Sequence, residues 1–460
     1  TLKNIENLYP QYRVQQISAS SSPLVLASGL FEYLDKFPHY CTEQTVSKVF
    51  PAIELLFKYP ELVKKIDVYA LFNDALAKLQ ERQTIDGGFS AWNVSAAKAD
   101  PYASIFASHF LVRAKNYGFN VPQGMLNRAL AYCAEKAGQR PLNHNDFLPA
   151  YAAYVLTLNG TVTSNYLLNL EEYYKQYDKK EWQNSLAASF MAASYKMLQN
   201  NKKADSLIDK YKEIDDPLKN AVNAYLTAAH FPHLFADNGA RKIKALLDGL
   251  SDGNWTTSSA AWSTLALAAT EAKENDQSIL FNGQKAEQLT PFPTAGFTAQ
   301  TPQVTVSADT PFYYIVSQLG FLQDSNVKAL ADGMEVQKTI YNQKGEEVTS
   351  AKLGEELTVV INCRGLQKEN IRDVAIVDLL SGGFEVVSNS LNTPWTVDTT
   401  EVREDRVIVY LTVTPQNSEI RYKVKAIASG SFTVPPTFAS ALYQPLVRAN
   451  SATAAIRIDE

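Results

Sequence analysis

Phe37-Pro38-His39-Tyr40-Cys41-Thr42-Glu43-Gln44-Thr45-Val46-Ser47-Lys48 sets one cysteine three residues before one glutamine, where a helical pattern begins. A C-x-x-Q loop can cyclise: the Cys41 sulfur attacks the side-chain amide carbon of Gln44 and ammonia leaves. The product is an internal thioester, a latent acylating group made by a soft nucleophile held close to its target. Four-residue patterns also arise by chance, and the competing reading makes Cys41 a buried cap residue at a helix start.

The surroundings of this stretch are helical. Pro23 opens a helix through Leu24 to Leu34 with apolar residues at three- and four-residue spacing, and a second runs from about Glu43 to Lys58. From there to about residue 272 similar Ala-rich blocks recur, opening at Tyr102, Tyr151, Leu186, Ala221 and Ala260. They are spaced by roughly 35 to 50 residues, a helical-hairpin period, and each is followed by a more charged helix such as Lys202 to Tyr211. Neither end carries a polar capping repeat, so a closed ring of hairpins, an α/α toroid, fits better than an open solenoid. Asp86-Gly87-Gly88-Phe89-Ser90-Ala91-Trp92 reads as a tight turn between hairpins, with Gly253-Asn254-Trp255 as its counterpart.

On both sides the pattern turns to strands. Tyr12 to Ile17 reads as a strand and Ser18 to Ser22 as a loop; after Lys273, Ser278-Gly283, Gln303-Ser307 and Phe312-Leu319 alternate. From Gly333 onward seven strand-like runs separated by Gly-containing turns read as a β-sandwich. The expected class is a multidomain α + β chain.

Composition bounds the function. The chain has 460 residues, enough for two to four domains, and a net charge of −5. No basic block marks a nucleic-acid partner, and no apolar run reaches membrane-spanning length. The opening Thr1-Leu2-Lys3-Asn4 reads as a poor start for a signal peptide, which says little because the chain reads as a piece of a longer one. Of the three cysteines, Cys133 and Cys363 read as small core residues. No metal and no cofactor is expected: the one close histidine pair, His230 and His233, reads as solvated or capping at a helix end.

The whole run from Phe37 to Lys48 resembles the thioester motif of the alpha-2-macroglobulin and complement family, which in bacterial members approximates Y-P-Y-G-C-x-E-Q-T-x-S-R. Tyr40 stands where glycine is usual, and Phe37 replaces a tyrosine. The likeness extends to Asp86–Trp92, Asp100-Pro101-Tyr102, Trp255 through Ala266, and the late stretch Thr433 to Pro445. It implies a thioester toroid (residues 16–274) inserted in a CUB-like β-domain (1–15 and 275–324), followed by a macroglobulin-like sandwich (325–460).

By resemblance, Cys41 and Gln44 form the bond, and Leu442 and Tyr443 cover it together with Phe37 and Tyr40. His144 is the one candidate in the right region for a helper in acyl transfer. The implied activity is a broad-range endopeptidase inhibitor with a single-use reactive group, not an enzyme. Its partners would be target proteases, captured through a lysine amine, and upstream macroglobulin-like domains. The implied location is the periplasm or cell envelope, with membrane attachment only through an upstream, for instance lipidated, region. Two other readings compete: a toroid glycosidase or cyclase using Asp86, Asp100 or Asp146, and a surface adhesion module whose thioester is unformed or serves as an anchor.

Overall fold

The computed structural model of the chain describes residues 8–92, 98–143, 145–177, 181–251, 255–270, 278–286, 291–297, 303–321, 323 and 326–460. The chain divides into two compact units. One is built on Tyr12–Gly320 and the other on Phe321–Glu460, to which a short early piece containing Leu8 and Tyr9 belongs.

The first unit is mostly helical. Its helices are α1 (Ala27–Lys36), α2 (Thr42–Lys58), α3 (Val68–Arg82), α4 (Pro101–Asn116), α5 (Gln123–Gly138) and α6 (Leu148–Leu158), then α7 (Ser164–Tyr177), α8 (Leu186–Met197), α9 (Asn201–Ile208), α10 (Pro217–His230), α11 (Pro232–Ser251) and α12 (Thr257–Ala269). Two kinds alternate. Helices α4, α6, α8, α10 and α12 are rich in Ala, with Ser or Thr among them, and are largely buried. Small side chains let them approach one another closely, and each packs on the next: α2 on α4, α4 on α6, α6 on α8, α8 on α10, α10 on α12, and α12 back on α2. The intervening helices pack outside this cycle through a single stripe. In α3 it is Val68, Phe72, Ala75 and Leu79, the three- and four-residue spacing of an amphipathic helix.

Strand β1 (Val14–Ser20) begins the same unit, which ends in β2 (Leu280–Phe281), β3 (Gln284–Lys285), β4 (Thr294–Gly296), β5 (Val306–Ser307) and β6 (Tyr313–Leu319). β1 pairs antiparallel with both β4 and β6, so segments flanking the helical region close on each other. This corrects the expectation of a loop at Ser18. The strand runs on to Ser20 because its hydroxyl-bearing residues have partners across the sheet, Ser18 Oγ lying 2.7 Å from Thr294 Oγ1.

The second unit carries β7 (Leu330–Asp332), β8 (Met334–Tyr341), β9 (Ser350–Lys352), β10 (Glu356–Gly365), β11 (Ile371–Leu379), β12 (Phe384–Val386) and β13 (Val397–Val402), followed by β14 (Arg406–Val413), β15 (Ser418–Ala426), β16 (Gly430–Val434), β17 (Thr437–Ala441), β18 (Arg448–Asn450) and β19 (Ala454–Asp459). Sheets ordered β12-β15-β10-β8 and β13-β14-β11-β17-β18-β7 share one hydrophobic core. Strand β15 shows the two-residue period that makes this possible: Ser418, Ile420, Tyr422, Val424 and Ala426 are buried and the residues between them exposed.

Inside that core sits a charged pair. Lys338 Nζ is 2.7 Å from Asp378 Oδ1, and Asp378 also accepts the hydroxyls of Thr437 (2.6 Å) and Tyr422. Removing one partner would strand a buried charge. Lys338→Ala is therefore expected to cost about 3–5 kcal/mol of stability. Chemical denaturation monitored separately on each unit would measure it; a loss below about 1 kcal/mol, the level of a surface pair, would contradict the assignment.

The helical unit has its own titrating pair. His109 is fully buried among aromatic rings with Nδ1 3.1 Å from the Tyr151 hydroxyl, and burial holds its pKa well below 6.5. His230, whose Nε2 is 3.0 Å from the Tyr154 hydroxyl, is pushed from 6.5 down to about 4, mainly by burial. The expectation of a solvated or capping His230 does not hold, because the helix end turns its ring inward onto Tyr154. Between the folded and unfolded values only the unfolded chain binds the proton, so stability falls as pH drops from 6.5 toward 4. The loss at pH 4 is about 3 kcal/mol from His230 alone. Melting curves for wild type and His230→Gln across that range test it; the variant's curve is expected to be flatter with pH.

Candidate functional site

The candidate site is built on the first turn of α2. Cys41 is its N-cap residue and Gln44 the third residue inside. A helix start leaves backbone amides without partners, and a capping box satisfies two of them reciprocally. Here the Gln44 backbone N–H donates to the Cys41 sulfur at 3.4 Å, while the Cys41 N–H donates to Gln44 Oε1 at 3.0 Å. The spacing that closes a capping box is the C-x-x-Q spacing, so the helix start itself brings sulfur and carboxamide together.

The electrostatics favour the same pair. The positive end of α2 favours negative charge on sulfur. The N–H aimed at Oε1 is a donor where charge develops when the carbonyl carbon is attacked. Both side chains are nearly closed to water, Cys41 at 3 % and Gln44 at 4 % exposure. The Gln44 Nε2 is buried with no hydrogen-bond partner among the described residues. Burying an unsatisfied amide donor costs about 1–3 kcal/mol. Loss of that nitrogen as ammonia would remove the cost. Burial pushes the thiols of Cys133 and Cys363 up to about 12.

The loop before Cys41 is held from several sides. Phe37 lies edge-on to Tyr33 and to His39, each at 5.4 Å. Tyr40, half-buried, lies beneath the Lys78 ammonium at 4.6 Å. The Asp86–Trp92 turn, read from sequence as a structural turn, also supports the site: the Thr42 hydroxyl donates to Ser90 O (2.6 Å) and the Thr42 N–H to Ala91 O (2.8 Å). Gly87 makes the turn possible. Its φ is +89°, and a Cβ there would come within 2.3 Å of the Arg128 carbonyl oxygen.

Glu43 is the residue that sequence reading passed over. It is buried, and its carboxylate accepts the hydroxyls of Ser47, of Thr257 (2.8 Å) and of Ser258 (2.7 Å). Thr257 and Ser258 open α12, so this carboxylate ties two helix starts together. Its charge reaches nearby phenols: Tyr33 and Tyr102 are raised well above their usual range, first by burial and then by Glu43.

The structure thus groups Phe37, Tyr40, Cys41 and Gln44 at one loop–helix junction. Leu442 and Tyr443 belong to the second unit, in the turn between β17 and β18. Leu442 is buried and its N–H donates to Asp373 O at 2.9 Å, while Tyr443 is 40 % exposed. His144 lies outside the described residues. The three carboxylates of the enzyme reading are each engaged locally. Asp86 accepts from Thr84 and Gly88 in its own turn, Asp100 caps α4 through Ala103 N, and Asp146 accepts from Leu142 N and Leu148 N. Among the described residues no group of three or more His, Cys, Asp or Glu is placed to hold a metal ion, and no helix is long and apolar enough to cross a membrane.

Residues 333–445 match the bacterial alpha-2-macroglobulin MG10 domain. The chain is 31 % identical to an alpha-2-macroglobulin of Rickettsia conorii, over 96 % of this chain and 25 % of the relative. It is 29 % identical to an alpha-2-macroglobulin homolog of Yersinia pestis, over 98 % of this chain and 26 % of the relative. The fold resembles native alpha-2-macroglobulin from Escherichia coli spanning domain MG7 to the C-terminus (TM-score 0.82, 19 % identity, 99 % of this chain and 79 % of that one). It also resembles Salmonella alpha-2-macroglobulin reacted with methylamine (TM-score 0.80, 19 % identity, 99 % of this chain and 32 % of that one). The chain spans about a quarter of the length of the curated relatives it matches. With 31 % identity to the Rickettsia protein across 96 % of its own length and an MG10 match in its second unit, the chain belongs to the bacterial alpha-2-macroglobulin family.

Proposed function

We propose that this chain is the reactive portion of a broad-range protease inhibitor of the cell envelope, and that Cys41 and Gln44 are a single functional group, an internal thioester. The observation that carries the reading is the buried Gln44 amide nitrogen with no partner among the described residues, set beside a sulfur and a carbonyl already held by reciprocal N–H contacts. Formation joins Cys41 Sγ to Gln44 Cδ; the thiol proton leaves with the amide nitrogen as ammonia. In the inhibitor reading, cleavage of a bait segment elsewhere unmasks the bond. A lysine amine of the protease then takes the Gln44 acyl group, and the Cys41 thiol is released.

The closed cycle of inner helices supports an α/α toroid, and the pairing of β1 with β4 and β6 around it supports a CUB-like domain that carries the toroid as an insertion. In this division 1–15 and 275–324 are the CUB-like part, 16–274 the toroid and 325–460 the macroglobulin-like sandwich; β1 runs on to Ser20, so the first boundary belongs after that strand. The pinned ring of Tyr40 and Phe37 form the proposed dry shell, and Leu442 and Tyr443 are its candidate cover by resemblance alone. Tyr40 in place of glycine adds bulk there rather than freedom.

Methylamine is the direct probe. Native protein treated with it is expected to gain one methylamine at Gln44 and to expose one thiol at Cys41, both located by peptide mapping. Incorporation at another glutamine, or none, would overturn the assignment.

A further inference from the structure

We infer that Glu43 is the positioning residue of the Cys41–Gln44 pair: its carboxylate locks the first turn of α2 onto the first turn of α12, and the thioester forms and survives only while that lock is closed. The inference rests on the thioester reading and adds a residue to it.

The argument starts from where Glu43 sits. It lies between the two reacting residues, second in the turn whose N-cap is Cys41 and whose third residue is Gln44. First turns fray, because their amides lack intrahelical partners. Ring closure between residues 41 and 44 is sensitive to that fraying: effective molarity in an intramolecular attack falls steeply when the reacting atoms are free to separate. Something must hold this turn still, and the capping contacts cannot do it, because they involve the same sulfur and carboxamide that react. Once the bond forms, the Gln44 amide nitrogen is gone and sulfur changes its bonding.

Glu43 supplies a hold that the reaction leaves untouched. The Ser47 hydroxyl, one turn on, fixes the carboxylate to α2 itself. The Thr257 and Ser258 hydroxyls, from 214 and 215 residues away, fix it to α12. Two helix N-termini converge on it, and both favour its negative charge. Thr256 secures the other side of this joint, closing a capping box on Ser259 so that the start of α12 is itself rigid. Hydrogen bonds to a charged acceptor are stronger than neutral ones, so a carboxylate suits this place better than a carboxamide of the same shape.

The test is Glu43→Gln. It keeps the side chain's size, and hydroxyls can both give and accept, so the variant is expected to fold and to melt within about 5 °C of wild type. Intact mass and native thiol titration are the readouts, because a merely structural role would move the melt and leave them alone. The thioester-bearing fraction is expected to fall at least about tenfold. Ser258→Ala, which removes one donor and leaves the carboxylate in place, is expected to shorten the lifetime of the formed bond about threefold. It decides the matter should Glu43→Gln not fold. A thioester fraction and lifetime equal to wild type in whichever of the two variants folds overturns the inference. The parent reading fails separately: wild type at full mass sinks both, whereas a wild type short by one ammonia beside an unaffected variant sinks only the role of Glu43.

Discussion

Cys41→Ser is expected to abolish incorporation of methylamine while leaving the protein as stable as wild type. Serine is among the best N-cap residues, so its hydroxyl can accept from the Gln44 N–H as the sulfur does. The α2 start should therefore keep its cap, and the melting temperature should hold. Reactivity has no such substitute. An alcohol at this position is neither the soft nucleophile that expels ammonia nor the leaving group that makes an acyl bond labile. Cys41→Ala separates the two contributions: the same total loss of amine incorporation, together with about 1 kcal/mol of lost capping. Neither Cys133 nor Cys363 has a glutamine three residues on with which to form the same ring; Lys136 and Leu366 stand there. Amine incorporation in Cys41→Ser at the wild-type level would show that the reactive group lies elsewhere.

Tyr443→Ala is expected to shorten the life of the thioester by about tenfold or more, equivalent to about 1.4 kcal/mol of lost protection. Leu442 provides the packing and Gln444 and Val447 the turn's backbone hydrogen bonds. Melting curves of wild type and variant, run beside the lifetime measurement, separate lost fold stability from lost protection of the bond. Spontaneous appearance of a thiol at Cys41 in neutral buffer, followed over time in wild type and variant, measures it. Equal rates would remove Tyr443 from the shell and leave the shielding to Phe37 and Tyr40.

What could be read from the chain beforehand follows the range of the interactions. The helix expected from about Glu43 to Lys58 is observed as Thr42–Lys58, because its cap, its reactive pair and its apolar face lie within a few residues of each other. The alternation of Ala-rich and charged helices was legible for the same reason, since period is a local property. The strand through Ser18–Ser20 was not, because its reason is pairing with strands at 294–296 and 313–319. Glu43 shows the same limit more sharply. A glutamate in a first helical turn ordinarily reads as a solvated residue that favours the dipole, and the hydroxyls that bury it come from more than two hundred residues away. Asp378 and Lys338 sit in strands whose pattern says only that one face is apolar; their pairing crosses from β8 to β11. The inward turn of His230 likewise depends on Tyr154, in another hairpin.

The central claim is that Cys41 and Gln44 are joined in the resting protein. Intact-mass spectrometry of freshly purified protein, with native thiol titration on the same sample, tests it most directly. The expected result is a mass short of the sequence by one ammonia and a Cys41 that does not react with thiol reagents until an amine is added. A full sequence mass with Cys41 reactive from the start would contradict it.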